Sequence, residues 1–164
     1  MALFGSSPAP LDKAGLIQVV RKYMEGDDWK YKFDEEKQVI KAGVSLDCKL
    51  KRADLYVVFN NNGFTTYGVS PLNADEDSMS EVARYLHGAN YGLRNGNFEL
   101  DYRDGEVRFK VYVNTKGMTS VPDDVLEDAL YVPFAMLKKY GNGLAAVAMG
   151  FSTAKEALAT AEGD

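Results

Sequence analysis

The sequence predicts an α+β domain, an antiparallel sheet flanked by helices, in the order helix, three to four strands, helix, two strands, helix. Three observations lead there. Asp104-Gly105 is a hairpin dipeptide that accepts positive φ at both of its positions. Counting outward from it sets Tyr102 against Val107, Leu100 against Phe109 and Phe98 against Val111 on one face. Arg103 then meets Glu106, Asp101 meets Arg108 and Glu99 meets Lys110 on the other, so apolar faces apolar and each charge faces its opposite. Asn60-Asn61-Asn62-Gly63, between two further strand-like runs, is a second hairpin signal, and connections this short make neighbouring strands antiparallel. Apolar residues at helical spacing precede, separate and follow these blocks, which with antiparallel strands gives α+β with the helices gathered on one face.

Residues 1–10 are small and proline-containing, and are expected to be mobile. Asp12 can cap a helix running to about Glu25, with Leu16, Val19, Val20 and Tyr23 as its stripe and Gly26 as a left-handed stop. The period then changes to two. Trp29, Tyr31 and Phe33 alternate with Lys30, Lys32 and Asp34, and Ile40 to Leu50 alternates in the same way, which places Cys48 on the apolar side of a strand. Leu55 to Phe59 and Phe64 to Val69 are the next two strands.

Ser78-Met79-Ser80-Glu81 has capping-box spacing and opens a helix with Val82, Leu86 and Ala89 on its apolar face, ending near Gly92. The hairpin from Asn97 to Val113 follows. Val121-Pro122-Asp123-Asp124 is a helix entry, with acids at the positive end of the dipole. Its stripe continues through Leu126, Leu130, Leu137 and Tyr140, but Pro133 removes a hydrogen-bond donor and crowds the carbonyl of Ala129, so a kink or break is expected there. Gly141 and Gly143 weaken the next turn, helix resumes at Leu144, and Thr153-Ala154-Lys155-Glu156 is a second capping box before a short last helix.

Composition bounds the function. A chain of 164 residues, 46% hydrophobic, suits one domain over residues 11–162, burying roughly 70% of the surface of its unfolded form. With one cysteine and one histidine, a protomer can assemble neither a disulfide framework nor a Cys/His zinc cluster. The start lacks the basic and apolar regions of a signal peptide, so a cytoplasmic location is expected, and the apolar stretch from Gly143 to Phe151 is too short to span a bilayer. A formal charge of -5 opposes attraction to nucleic-acid phosphates.

The run Glu81-Val82-Ala83-Arg84-Tyr85-Leu86-His87-Gly88-Ala89-Asn90, followed by Gly96-Asn97-Phe98-Glu99-Leu100-Asp101 and Asp104-Gly105-Glu106-Val107, resembles the YbjN family of bacterial proteins. A helix ending at Asn90, a Gly-x-Phe-x-x-Asp strand, an Asp-Gly turn and the late Gly150-Phe151-Ser152 leading to Glu156-Ala157 carry the likeness, with Thr153 where the family pattern has proline. The resemblance covers about Leu11 to Glu162. It implies a fold like that of type III secretion chaperones, often dimeric, and a role in sensory transduction or stress-response regulation. It brings no catalytic residue with it.

The chemistry-bearing residues each have a plain structural account. Cys48 and His87 invite a nucleophile and base, but a thiol on an apolar strand face behaves as a small hydrophobe, and His87 suits the negative end of a helix. Asp75-Glu76-Asp77 and Asp123-Asp124 precede helices, where acids are favoured, and lack cation-loop spacing. Lys30, Lys32, Lys37, Lys41, Lys49, Lys51 and Arg52 make the first strands basic, yet alternation turns Trp29, Tyr31 and Phe33 away from the lysines, which separates the two ingredients of a single-strand binder. The remaining candidate is the apolar cluster Leu144, Val147, Met149 and Phe151, which is either a surface for a partner or a helix face packed on the protein's own sheet.

The expectation is therefore a noncatalytic, cytoplasmic protein-binding or regulatory protein without a cofactor. Its partner is another polypeptide or a second copy, a homodimer. The alternatives are an enzyme whose carboxylates and tyrosines meet in a pocket and a single-stranded nucleic-acid binder.

Overall fold

The computed structural model describes residues 8–163. Of the stretch expected to be mobile, residues 1–7 lie outside the described residues, and by Leu11 the chain is tied down, its N–H donating to the Met118 carbonyl at 2.7 Å. The elements are α1 (Lys13–Gly26), β1 (Tyr31–Asp34), β2 (Val39–Ser45), β3 (Arg52–Asn60), β4 (Gly63–Val69), α2 (Met79–Asn90), β5 (Asn97–Leu100), β6 (Val107–Asn114), α3 (Asp123–Ala148) and α4 (Ala154–Glu162). The six strands form one antiparallel sheet in the order β1-β2-β3-β4-β6-β5, so the fold is α+β as expected.

Strand alternation divides the sheet into a covered and an open face. Ile40, Leu55, Val57, Phe59, Phe64, Thr66, Phe98, Val107, Phe109 and Val111 share one face and are buried under the helices. α3 crosses β4 and β6, α1 sits over β3 and α2 over β5, with α4 packed on α2 and α3. Phe98 joins the layers, meeting Phe109 edge-on at 4.9 Å between ring centroids and Tyr140 of α3 at 5.6 Å. No helix among the described residues is long and apolar enough to cross a membrane.

The predicted hairpin forms in a different register. Phe98 pairs with Phe109, Glu99 with Arg108 and Leu100 with Val107, two residues away from the pairing set by a two-residue Asp104-Gly105 loop. A shift of two leaves every side chain on its own face, so the matching of apolar and charged residues could not distinguish the two. The connection is longer than two residues: Asp101 N–H donates to the Glu106 carbonyl at 2.9 Å, and Gly105 N–H donates back to the Asp101 carbonyl at 2.8 Å. Gly105, at φ +74°, lies against the segment after β4 and accepts from Ala74 N–H at 2.9 Å. Tyr102, assigned to the core by the shorter loop, is 67% exposed. Asp104 and Gly105 still serve the turn, the Asp104 carboxylate accepting from Glu106 N–H at 3.0 Å and Gly105 taking the left-handed conformation, but the turn is longer than two residues and docks on Ala74.

Other boundaries move for local reasons. β2 ends at Ser45, so Leu46, Cys48 and Leu50 lie in a loop and not on a strand. They stay buried because the loop tucks under α3, with Lys49 N–H donating to Asn142 Oδ1 at 2.8 Å and the Cys48 thiol 3.9 Å from the Leu137 carbonyl. Asp12 caps α1 as expected, its carboxylate accepting from Gly15 N–H at 2.7 Å, but Gly26 is helical and the left-handed residue is Asp28, at φ +57°. α2 begins where predicted without the capping box: Ser78 instead exchanges hydrogen bonds with Asp75, and Glu81 is turned towards α4. The second capping box, Thr153 with Glu156, is present.

α3 runs unbroken from Asp123 to Ala148 through Pro133, Gly141 and Gly143, against the expected interruption. The carbonyl of Ala129, deprived of its donor by Pro133, accepts instead from the buried Thr66 hydroxyl at 2.5 Å. The ring needs room as well, and Gly68 supplies it: a Cβ there would lie 2.9 Å from Pro133 Cβ. The two helical glycines likewise admit close neighbours, Cys48 and Leu50 at Gly141 and the Tyr85 ring at Gly143. Packing therefore offsets the roughly 1 kcal/mol that each glycine costs a helix.

Candidate functional site

The predicted partner cluster divides. Leu144 and Val147 face inward from α3, at 1% and 2% exposure, and belong to the core, because the unbroken helix carries their stripe over the sheet. Met149 and Phe151 are 58% and 82% exposed. They flank Gly150, at φ +72°, in a helix-ending turn where Gly150 N–H donates to the Val147 carbonyl at 3.1 Å and Phe151 N–H to that of Ala146 at 2.8 Å. This is the Schellman arrangement, whose last residue commonly packs back onto the helix. Phe151 does not, so the turn explains Gly150 and leaves the aromatic ring in water.

Beneath this knob a groove of about 550 Å³ runs between the start of α2 and the α3–α4 turn. Asp75, Asp77, Glu81 and Glu156 line it together with Met149 and Phe151. Hydrogen bonds with Ser78 hold the Asp75 carboxyl below the usual range, and bonds from the backbone and hydroxyl of Thr153 do the same for Glu156. Both are therefore charged at neutral pH. Glu81 Oε1 accepts from Ala154 N–H at 3.3 Å and so joins the α2 and α4 starts across the groove.

The open face of the sheet carries a second arrangement. Tyr56 of β3 lies directly opposite Tyr67 of β4, and Tyr112 of β6, 48% exposed, stands one strand further on. Lys41 of β2 pairs with Tyr56 and with Lys32 of β1, while Lys110 and Arg108 of β6 flank Tyr67, the Arg108 guanidinium 4.3 Å from its ring centroid. Glu99 bridges Arg108 at 2.8 Å and Lys110 beside it. Burial alone would raise the Glu99 carboxyl, but these two cations lower it further, so it stays below the ordinary range. Trp29, Tyr31 and Phe33 are on the opposite side, as alternation predicts: the Trp29 ring meets that of Tyr131 at 5.2 Å between centroids, tilted by 57°, and Arg21 lies over Phe33. The tyrosines missed by the sequence reading were legible, since the Asn60–Gly63 turn, once its register is fixed, sets Tyr56 against Tyr67.

The remaining candidates do not converge. Cys48 is buried under α3, His87 is exposed on the last turn of α2, and the thiol's hydrogen bond goes to Leu137. Asp123 and Asp124 occupy the first turn of α3, apart from the Asp75 group, and among the described residues no three His, Cys, Asp or Glu side chains gather as for a metal ion. A groove at the β1 edge, about 840 Å³, mixes Arg21, Lys30, Lys32 and Lys41 with Glu25, Glu35 and Asp54, and Tyr31 takes part in a chain from Arg21 to Glu25.

No protein-family model matches the chain, and no curated protein matches it by sequence. Solved structures do match. The crystal structure of YbjN from E. coli, a candidate transcription regulator, superposes with a TM-score of 0.57 at 9% identity, over 76% of this chain and 90% of that one. The two share a fold.

Proposed function

We propose that this protein is a noncatalytic regulator that works by binding another polypeptide, with the Met149–Phe151 knob as its contact. The carrying observation is an aromatic ring 82% exposed on a turn that has no structural need of it. The fold shared with a candidate transcription regulator is compatible with this role. The carboxylates whose affinity for protons is shifted, Asp34, Asp75, Glu99, Asp101 and Glu156, are all lowered, and each is held in a turn, cap or ion pair. Such groups are weak bases near neutral pH, which supports a contact role over proton abstraction. A photo-crosslinking side chain at position 151, in cells that make the protein, is expected to yield a discrete adduct with another protein. The same side chain at Tyr91, 92% exposed on a different turn, serves as the comparison, and equal or absent adducts at the two positions overturn the reading.

A second reading, single-stranded nucleic acid on the open sheet, is favoured by Tyr56, Tyr67 and Tyr112 sharing a face with Lys32, Lys41 and Lys110. Labelled oligonucleotides titrated at low salt test it. Binding that weakens steeply with salt and is lost in a Tyr56→Ala, Tyr67→Ala double variant supports it, and no binding removes it.

A further inference from the structure

We infer that the occupant of the Met149–Phe151 groove is a basic polypeptide segment bearing at least one large apolar side chain. The inference rests on the reading of this knob as a partner contact and adds the chemistry of the partner. The first observation is apolar: Met149 and Phe151 present large side chains to water that a partner would cover. The second is the sign of the rim. Asp75, Asp77, Glu81 and Glu156 line the groove, and among the described residues no lysine or arginine does. The overall charge of the chain does not account for this, because the groove at the β1 edge contains four cations among its lining residues.

Two helix starts, α2 and α4, bring about half a positive charge each to the same place, which four carboxylates outweigh. Arg84 approaches Glu81 at 3.8 Å, but with a side chain 76% exposed it offsets little. Asp77 has no ion-pair partner among the described residues. A partner that covers Phe151 must therefore come close to a rim of net negative charge, in which Asp77 has no cation of its own. An acidic partner is repelled, and a wholly apolar one would strip water from the acids and give nothing in return. A second copy placed symmetrically on this face would set acid against acid. Lysine or arginine around an apolar anchor satisfies both requirements.

The test uses the full chain with 13C-labelled methionine methyls and two fluorescent peptides of about 14 residues, long enough to form a helix, one of lysine and leucine and one of glutamate and leucine. At about 0.15 M salt the lysine peptide is expected to raise anisotropy on binding and to move the Met149 methyl resonance, with the glutamate peptide doing neither. Phe151→Ser, at an exposed position, is expected to weaken binding about tenfold or more, as loss of a buried ring would. Asp77→Lys should weaken it several-fold and flatten its salt dependence. Equal binding of both peptides, unaltered affinity in Phe151→Ser, a stationary Met149 methyl or no binding of the lysine peptide overturns the inference. If position 151 crosslinks a partner in cells while the lysine peptide fails to bind, the basic chemistry is wrong and the contact stands. If no crosslink forms, the contact itself is wrong.

Discussion

The hydroxyl of Thr66, at the centre of β4, donates at 2.5 Å to the carbonyl of Ala129, the one acceptor in α3 that Pro133 leaves without its helical partner. A strand residue thus completes the hydrogen bonding of a helix 63 positions away, and Gly68, two residues further along the same strand face, makes room for the proline ring. Thr66→Val keeps the shape and removes the donor, leaving a buried carbonyl unsatisfied. It is expected to cost about 2 kcal/mol, seen as a fall in Tm of roughly 6 °C, whereas Thr66→Ser, which retains the hydroxyl, should cost less. Equal losses in the two variants would show that the methyl group and not the hydrogen bond matters.

Gly105 and Gly26 should respond oppositely to alanine. At Gly105 the backbone is left-handed and a Cβ would lie 1.8 Å from the Ala74 carbonyl oxygen, so Gly105→Ala must displace the β5–β6 turn. A loss of about 3 kcal/mol in urea unfolding is expected. Gly26 is helical with nothing within 4 Å of a new Cβ, and Gly26→Ala should add about 0.5–1 kcal/mol.

Asn90 guards the outer edge of the sheet. Its amide oxygen accepts from Phe98 N–H at 2.6 Å and its nitrogen donates to the Phe98 carbonyl at 3.1 Å, occupying the backbone groups that terminal strand β5 would otherwise offer to another chain. Asn90→Ala should lose about 2 kcal/mol and raise the tendency to associate. Light scattering during slow heating reads the association, which Asn90→Asp, keeping the acceptor alone, should show to a smaller degree.

Acid should weaken the β5–β6 hairpin. Asp101, held by Arg103 through side-chain and backbone bonds, has its carboxyl lowered from 3.8 to about 2, and Glu99 is lowered from 4.5 by Lys110 and Arg108 against the opposing effect of burial. A carboxyl depressed in the folded state contributes stability that is complete above its unfolded value and is lost as pH falls through its folded value. The contribution is thus full above about pH 4.5 and fades towards pH 2. Glu99→Gln should cost about 1 kcal/mol at neutral pH, and the gap in Tm from the natural chain should narrow as pH falls below 4.5 for Glu99→Gln and close towards pH 2 for Asp101→Asn. A gap that persists there would mean that the charges are not its source.

Sequence alone settled what short-range physics decides. Asp12, Thr153 and Glu156 announced helix starts, the Asn60–Gly63 turn joined β3 to β4, and periods of 3.6 and 2 gave the element order and the buried face of each strand. In the candidate site, the apolar run at the end of α3 was legible, but not which of its members faced out. That division depended on α3 continuing past Pro133, which in turn depended on Thr66 and Gly68 from β4. The hairpin register likewise required Ala74, about thirty positions before Gly105, because a slip of two residues leaves both faces matched. The acidic groove brings together residues of α2 and α4 some seventy positions apart. Side-chain periodicity and turn chemistry act over a few residues. A missing donor, a docked turn and an exposed ring are decided by what the folded chain places beside them.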